Sequence, residues 1–150
     1  MAYSDPILVT YARSFTTANA SFTVAPPPGT SQFRVVDINA SVTTSFVGTT
    51  SAAEIGVGVP NNPKAAGKLT FGTVGAPAQA GVALGLKSQF VKGTNPVVGL
   101  IDLSGTANPA LVVAPFPAAI EALGPASITY TGPVGAPAGA ATVDVTLAWF

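Results

Sequence analysis

The sequence has no cysteine, no histidine and little charge: six Lys+Arg and six Asp+Glu, or 8% of its 150 residues. A typical soluble domain is about a quarter charged. Without histidine or cysteine the chain cannot form a Ser–His–Asp triad, a Cys–His dyad or the usual zinc sites. A disulfide framework is excluded as well. These absences favour a role in assembly over one in catalysis.

The few charges are also balanced, which argues against two further classes of partner. The formal net charge is zero and the six cations are scattered, so the clustered positive charge that displaces counterions from nucleic acid is missing. Mean hydropathy is +0.52, but Gly, Pro, Ser, Thr or Asn interrupt every apolar run before the about 18 residues that a membrane-spanning helix needs. The first 15 residues do not have the pattern of a secretory signal. We therefore expect synthesis in the cytoplasm, with no nucleic-acid or membrane partner.

The six acidic residues form no recognisable catalytic or metal-binding group. They stand in six different segments of the chain, whereas a calcium loop needs several oxygen ligands at short spacing. A carboxylate pair of the glycosidase type is formally possible, but the isolated positions give it no support. Lys87 and Ser88 are adjacent, so on a strand they face opposite sides and cannot form a Ser–Lys dyad. We expect a protein that is not an enzyme, with no catalytic residue, no metal site and no cofactor.

The chain consists instead of short strand-like runs separated by turn residues. Sixteen glycines and 14 prolines lie between runs rich in Val, Thr, Ile and Phe that alternate with a period of two, as half-buried strands do. In Ala141–Trp149 the odd-numbered residues are apolar and predict one buried face. In Arg34–Val42 the even-numbered residues, Val36 among them, are predicted to share one face. Asp37 marks the opposite, wetter face, because an unpaired buried carboxylate is costly.

These short alternating runs, separated by Gly and Pro, predict an all-β fold. About eight to ten short strands in 150 residues indicate a β-sandwich, and a jelly roll is the expected topology. One short helix of about two turns is expected near 117–123. Residues 1–16 are predicted to form an N-terminal arm or first strand, and residues 17–150 a single β-sandwich domain. The expected strands, besides the two above, are Ile7–Phe15, Ser21–Val24, Glu54–Val59, Lys68–Thr73, Gly81–Phe90, Val97–Leu103, Ala110–Val113 and Ser127–Thr131.

Aromatic and apolar residues near the two ends of the chain are the candidate contact residues. The N-terminal stretch is apolar where disorder would be expected, so it needs a partner surface. We favour a strand of the domain's own sheet for residues 7–15 and an arm added to a neighbouring subunit for residues 1–6. Trp149 is predicted to lie in the core, whereas Phe150 faces the other way. The candidate interface residues are Tyr3, Ile7, Leu8, Tyr11 and Phe150.

The chain resembles the head decoration, or cement, proteins of tailed bacteriophages. The resemblance lies in the all-β pattern without Cys or His, in the Gly/Pro/Ala/Thr-rich composition, and in the terminal alternating strand Val143–Phe150 (VDVTLAWF). The resemblance is one of composition and strand pattern over the whole chain, and it identifies no individual functional residue. It implies a jelly roll or related β-sandwich on the outside of the virion capsid, made in the host cytoplasm. There it would bind the major capsid protein lattice as trimers, which we favour over dimers, and stabilise the head by bridging neighbouring capsomers.

A second hypothesis is a receptor- or carbohydrate-binding β-sandwich from a phage tail or a bacterial surface appendage. Such a module would carry exposed aromatic and amide or acidic clusters in its loops. The chain has three Tyr and one Trp, and they do not cluster in the sequence. Copy number separates the two hypotheses, because a decoration protein covers the whole head whereas a tail module occurs in few copies.

Overall fold

Short alternating runs fold here into strands, and no helix occurs in the described part of the chain. The computed structural model describes residues 5–89, 97–102, 113–114 and 122–150. The strands in these ranges are β1 Ile7–Phe15, β2 Ala20–Val24, β3 Gln32–Val47, β4 Glu54–Val59, β5 Asn62–Thr70, β6 Gly72–Thr73, β7 Ala76–Pro77, β8 Ala83–Gln89, β9 Val97–Asp102, β10 Val113–Ala114, β11 Ala122–Leu123, β12 Ala126–Thr131 and β13 Ala138–Trp149.

These strands form two main antiparallel sheets. The large sheet has the order β1-β13-β3-β8-β9-β10, and β11 also pairs with β3. The small sheet has the order β2-β12-β4-β5, and β6 and β7 form a separate hairpin. The expected all-β sandwich is thereby confirmed, while the jelly-roll topology remains a prediction.

The core lies between the two sheets and is built largely from aromatic side chains. Phe15 of β1 stacks on Tyr130 of β12 with ring centroids 4.6 Å apart, which joins the edge strand of the large sheet to an inner strand of the small sheet. Phe46 of β3 stacks on Phe71 at the same distance, and Phe71 meets Tyr130 edge-on at 6.1 Å. Trp149 is fully buried, as predicted. Such contacts add about 0.5–1.5 kcal/mol per aromatic pair to the gain from burial.

The centre of the large sheet is the long pairing of β3 with β13, and bulges interrupt it. Between the pairs Thr146↔Asp37 and Leu147↔Val35 the register shifts, so β3 carries one residue more than β13. That residue is Val36, which is exposed, while Val35 is buried. The predicted strict alternation across Arg34–Val42 is therefore wrong at these two valines, because a bulge turns an extra side chain outwards.

A glycine permits the close packing beside another irregularity of this pairing. The register shifts again between Ala138 and Ala140. Gly139 there has a φ of 140°, a conformation that L side chains rarely adopt. A Cβ atom at this position would collide with the ring of Phe46. Gly139 thus lets the backbone of β13 lie directly against a core aromatic ring.

Most predicted strands are confirmed, and the differences have physical causes. Glu54–Val59 and Ile7–Phe15 match the observed strands. Only Pro60 and Asn61 separate β4 from β5, because Val59 already pairs with Asn62. The helix expected near 117–123 is wrong at its last two residues, which pair as β11 with Phe33 and Gln32. The first part of that segment lies outside the described residues, as do residues 90, 103 and 110–112 of the predicted strands.

Candidate interaction surface

In the part of the chain that the structure describes, no three His, Cys, Asp or Glu side chains come together as a possible metal site. Tyr130 is the buried titratable group that stands out. Its hydroxyl donates to the backbone carbonyl of Thr16 at 2.5 Å, and burial raises its pKa to about 12. A tyrosine held neutral inside the core serves packing and is not positioned to act on a substrate.

The only carboxylate in β4 is neutralised within the small sheet. Glu54 forms ion pairs with Lys64 and with Lys68, the latter at 2.6 Å. Both lysines belong to β5, the strand next to β4 and the last strand of the small sheet. The stem of Lys64 also covers Gly56, where a Cβ atom would collide with it. These charges therefore bind one another across the strand pair.

Both described arginines lie over aromatic rings. The guanidinium of Arg13 is 4.7 Å from the ring centre of Phe22 in β2, and it also donates to the carbonyl of Ala12 at 2.8 Å. The guanidinium of Arg34 is 5.4 Å from the ring centre of Phe150. Cation–π contacts of this kind stabilise by about 0.5–1 kcal/mol at exposed sites. Each arginine is thus held against its own chain.

A narrow polar stripe crosses the outer face of the large sheet. Asn39 donates from Nδ2 to Oδ2 of Asp37 at 2.8 Å, and Asp144 lies directly opposite Asn39 in the β3–β13 pairing. The other carboxylate oxygen of Asp37 is buried and has no hydrogen-bond partner in the described part of the chain. Thr10 and Thr146 extend the stripe with a hydroxyl–hydroxyl bond of 2.9 Å. This stripe makes the middle of the face hydrophilic, and Asp37 and Asp144 give it negative charge.

Beside the stripe, one end of the same outer face is apolar. Leu8, Ala148 and Arg34 are direct cross-strand neighbours, and such neighbours lie on one face of a sheet. The bulge residue Val36 lies one row further along. Leu123 is opposite Gln32, which also exchanges backbone hydrogen bonds with Phe150. We name this surface the outer patch; its members are Leu8, Arg34, Val36, Leu123 and Phe150, which are exposed or half-buried, and the buried Ala148 between them.

The outer patch contains the two most exposed large apolar side chains of the described chain, Leu123 and Leu8, together with Val36. Leu123 is 68% exposed, Leu8 63% and Val36 50%. Single exposed apolar residues are ordinary on soluble proteins, but contiguous ones indicate a contact surface. The patch is therefore the strongest candidate for a surface that another molecule covers.

The outer edge of β1 is a second candidate contact. Phe150 and Gln32 exchange backbone hydrogen bonds of 2.9 and 3.2 Å, so even-numbered residues of β13 direct their N–H and C=O groups towards β3 and odd-numbered ones towards β1. The β1–β13 register is unbroken from Ile7↔Trp149 to Phe15↔Ala141. Odd-numbered residues of β1 therefore bond to β13, and the backbone groups of Leu8, Thr10, Ala12 and Ser14 point away from the sheet.

The structure separates the predicted interface residues into three groups. Ile7 and Leu8 are exposed at the start of β1. Tyr11 is half-buried, and its hydroxyl accepts a hydrogen bond from Nε1 of Trp149 at 3.2 Å. Phe150 is half-buried beneath Arg34, and Tyr3 lies outside the described residues. Their role in an interface remains a prediction.

Sequence reasoning missed Val36 and Leu123 as surface residues. Val36 is exposed only because of the bulge in β3, which the alternating pattern does not reveal. Leu123 belongs to a segment predicted as helix, and its position depends on pairing with β3. No signal in the sequence singles out either residue.

A shallow depression on the small sheet is a weaker candidate. It has a volume of about 280 Å³ and is lined by Asn19, Ala20, Ser21, Thr129, Tyr130 and Thr131. The side chain of Tyr130 is fully buried, so it cannot offer its ring as a stacking surface to a sugar. The depression therefore lacks the exposed aromatic platform expected of a carbohydrate site.

Comparison with known proteins finds no protein-family model that matches the chain and no matching curated sequence. None of the described segments forms a helix long and apolar enough to cross a membrane. A function has to be argued from the residues and surfaces described above.

Proposed function

We propose that the protein is a structural protein of a bacteriophage virion that binds the outside of the major capsid protein lattice and bridges neighbouring capsomers. The observation that carries the proposal is the outer patch, which groups the exposed side chains of Leu8, Val36 and Leu123 at one end of one sheet face. In this role the protein acts as a decoration protein and catalyses no reaction.

The engaged charges support a contact of this kind. Glu54 is paired with Lys64 and Lys68, while Arg13 and Arg34 lie over aromatic rings. Within the outer patch Arg34 is the one charged side chain, so few charges need to be stripped of water when the patch is covered. Apolar association also depends little on salt, because only interactions between exposed charges are screened strongly.

The arrangement of the outer patch favours a flat partner. Its residues come from β1, β3, β11 and the end of β13, and they lie along one end of one sheet face. A flat apolar surface buries area against another protein, whereas a small molecule binds in a concavity. Many copies on one shell add their binding energies, so each contact can be modest in strength.

A binding assay with a matched pair of variants tests this proposal. Val36→Lys places a charge in the outer patch, and Val74→Lys places the same charge on a valine of similar exposure, 45%, in the β6–β7 hairpin. We expect wild type and Val74→Lys to co-sediment with expanded capsids of the phage whose genome encodes the chain. We expect Val36→Lys to bind at least about tenfold more weakly, since a desolvated unpaired charge is costly.

Wild-type binding should also change less than about twofold between 50 and 500 mM NaCl. Failure of the wild-type chain to bind capsids would overturn the proposal, and so would equal loss in the two variants. Binding to a purified glycan in place of capsids would favour the receptor-binding alternative. Circular dichroism confirms that each variant is folded before its binding is compared.

A further inference from the structure

Two nine-residue strands lie at edges of the sandwich, and their sequences protect them to very different degrees against pairing with other chains. The first is β5, the last strand of the small sheet, and the second is β1, the first strand of the large sheet. Unpaired edges invite pairing with other chains, and proteins normally block them with prolines, charges and bulges. β5 has all three devices, because Pro63, Lys64 and Lys68 lie in the strand and its register with β4 shifts at Val59.

β1 has almost none of these protections. No proline and no lysine lie between Ile7 and Phe15, and its register with β13 runs without a bulge. Its one charge belongs to Arg13, whose guanidinium is turned onto Phe22 and the carbonyl of Ala12. In the described part of the chain β13 is its only partner. β1 is therefore a long, regular edge that is left open for pairing.

We infer that β1 pairs antiparallel with β1 of a second copy of this chain, about a two-fold axis at Tyr11. Tyr11 is the central residue of the nine-residue strand, so this register pairs all nine residues of both copies. Leu8 then lies opposite Ser14 of the second copy, and Thr10 lies opposite Ala12. These four residues are the ones whose backbone N–H and C=O groups point outwards, so every outward group of β1 gains a partner.

The charge on β1 also permits it to pair with β1 of a second copy. The only charged side chain, Arg13, lies opposite Val9 of the second copy and not opposite the other Arg13. The two arginines are offset by four residues, about 14 Å along the strands at about 3.4 Å per residue. That distance exceeds the Debye length of about 8 Å at physiological salt. With zero net charge on each copy, little repulsion opposes the pair.

This pairing joins the large sheets of two copies into one continuous sheet. Leu8 takes part in the pairing, whereas Val36, Leu123 and the other members of the outer patch lie on strands away from the axis, so the pair presents two such groups on the same sheet. A two-fold pair also differs from the trimer that the resemblance to decoration proteins favours. The inference rests on the edge of β1 alone and does not depend on capsid binding.

Charges placed at the pairing positions test the inference directly. The variant Thr10→Lys with Ala12→Lys puts lysine opposite lysine twice, so we expect its dimer dissociation constant to rise at least about tenfold. The variant Thr10→Glu with Ala12→Lys puts opposite charges together in the same register and should keep the pair. The control Ser41→Lys with Thr43→Lys adds the same charges on exposed positions of β3, away from the edge, and should behave as wild type. Sedimentation equilibrium of the full chain measures all four proteins.

Amide hydrogen exchange supplies a second readout that needs no substitution. Protection of the amides of Leu8, Thr10, Ala12 and Ser14 should increase with protein concentration, because these N–H groups are bonded only in the pair. A wild-type chain that stays monomeric at its highest soluble concentration would overturn the inference, as would a dimer that the Lys/Lys variant leaves intact. These measurements use no capsid, so their failure is distinguishable from failure of the proposed function.

Discussion

At the scale of single residues, Tyr130 links the small sheet to the large one. Its ring stacks on Phe15 and meets Phe71, and its hydroxyl donates to Thr16 at the start of the connection to β2. Burial opposes ionisation of this hydroxyl and raises its pKa to about 12 from an ordinary value of 10.0. The folded protein therefore keeps this proton over a pH range in which the unfolded chain has lost it.

Tyr130→Phe keeps the ring but removes the hydroxyl, so we expect a loss of about 1 kcal/mol in the free energy of unfolding at pH 8. The wild type should also lose stability as pH rises from 10 to 12, because only its unfolded state releases the tyrosine proton there. The variant lacks this contribution, so the difference between the two proteins should shrink in that range. Urea unfolding at pH 8 and pH 11 measures both effects. A difference that is the same at both pH values would contradict the account.

At the scale of elements, bulges decide which side chains of β3 reach the core. Val35 and Val36 are consecutive and chemically identical, yet one is 6% exposed and the other 50%. An unbroken strand also turns consecutive residues to opposite faces, but it would bury Val36 with Ile38 and expose Val35. The bulge at Val36, which faces Thr146 and Leu147 of β13, reverses this, so that Val35 is buried and Val36 is exposed.

Val35→Thr and Val36→Thr test the bulge as a matched pair. Threonine has nearly the shape of valine, so the difference between the variants reports burial of the hydroxyl. We expect Val35→Thr to cost about 1–3 kcal/mol, because its hydroxyl is buried among apolar residues, and Val36→Thr to stay within about 0.5 kcal/mol of wild type. Urea unfolding of the three proteins gives the comparison. The opposite ranking would restore the unbroken alternation and remove Val36 from the outer patch.

Strands with regular alternation could be predicted from the sequence, and irregular pairing could not. β1 and β4 have the predicted bounds because turn residues delimit them. The sequence pattern predicts β3 as Arg34–Val42, shorter than the observed Gln32–Val47, with Val36 buried and Val35 exposed. These differences arise because the bulges of β3 are defined only by its register with β13. Residues 117–123 have a helix-like pattern, and that pattern reflects only neighbouring residues. β11 forms instead through pairing with Phe33 and Gln32, which are distant in the sequence.

The same division applies to the candidate surface. Ile7 and Leu8 could be predicted because an apolar terminal segment is unusual in any fold. Val36 and Leu123 could not, because their exposure follows from a bulge and from a two-residue strand. The open edge of β1 is likewise a property of sheet order, which places β1 outermost.

At the scale of the whole molecule, charges are few, and several of the described charged side chains contact other side chains of the same chain. Glu54 pairs with both Lys64 and Lys68, and the two described arginines cover aromatic rings of their own chain. Apart from the carboxylates of the polar stripe, the described surface offers apolar side chains, hydroxyl groups and the outer backbone of β1 for contact. Such a surface suits a protein whose exposed faces are covered by neighbours in a large assembly.

The central claim, that the chain decorates the outside of a phage head, is tested most directly by a reconstruction of the native particle together with its copy number by quantitative mass spectrometry. The account predicts on the order of hundreds of copies per head, as expected for multivalent attachment to a repeating lattice. Each copy should lie on the outer surface with Val36 and Leu123 against a capsomer. Heads that lack the chain, or a few copies confined to the tail, would contradict it.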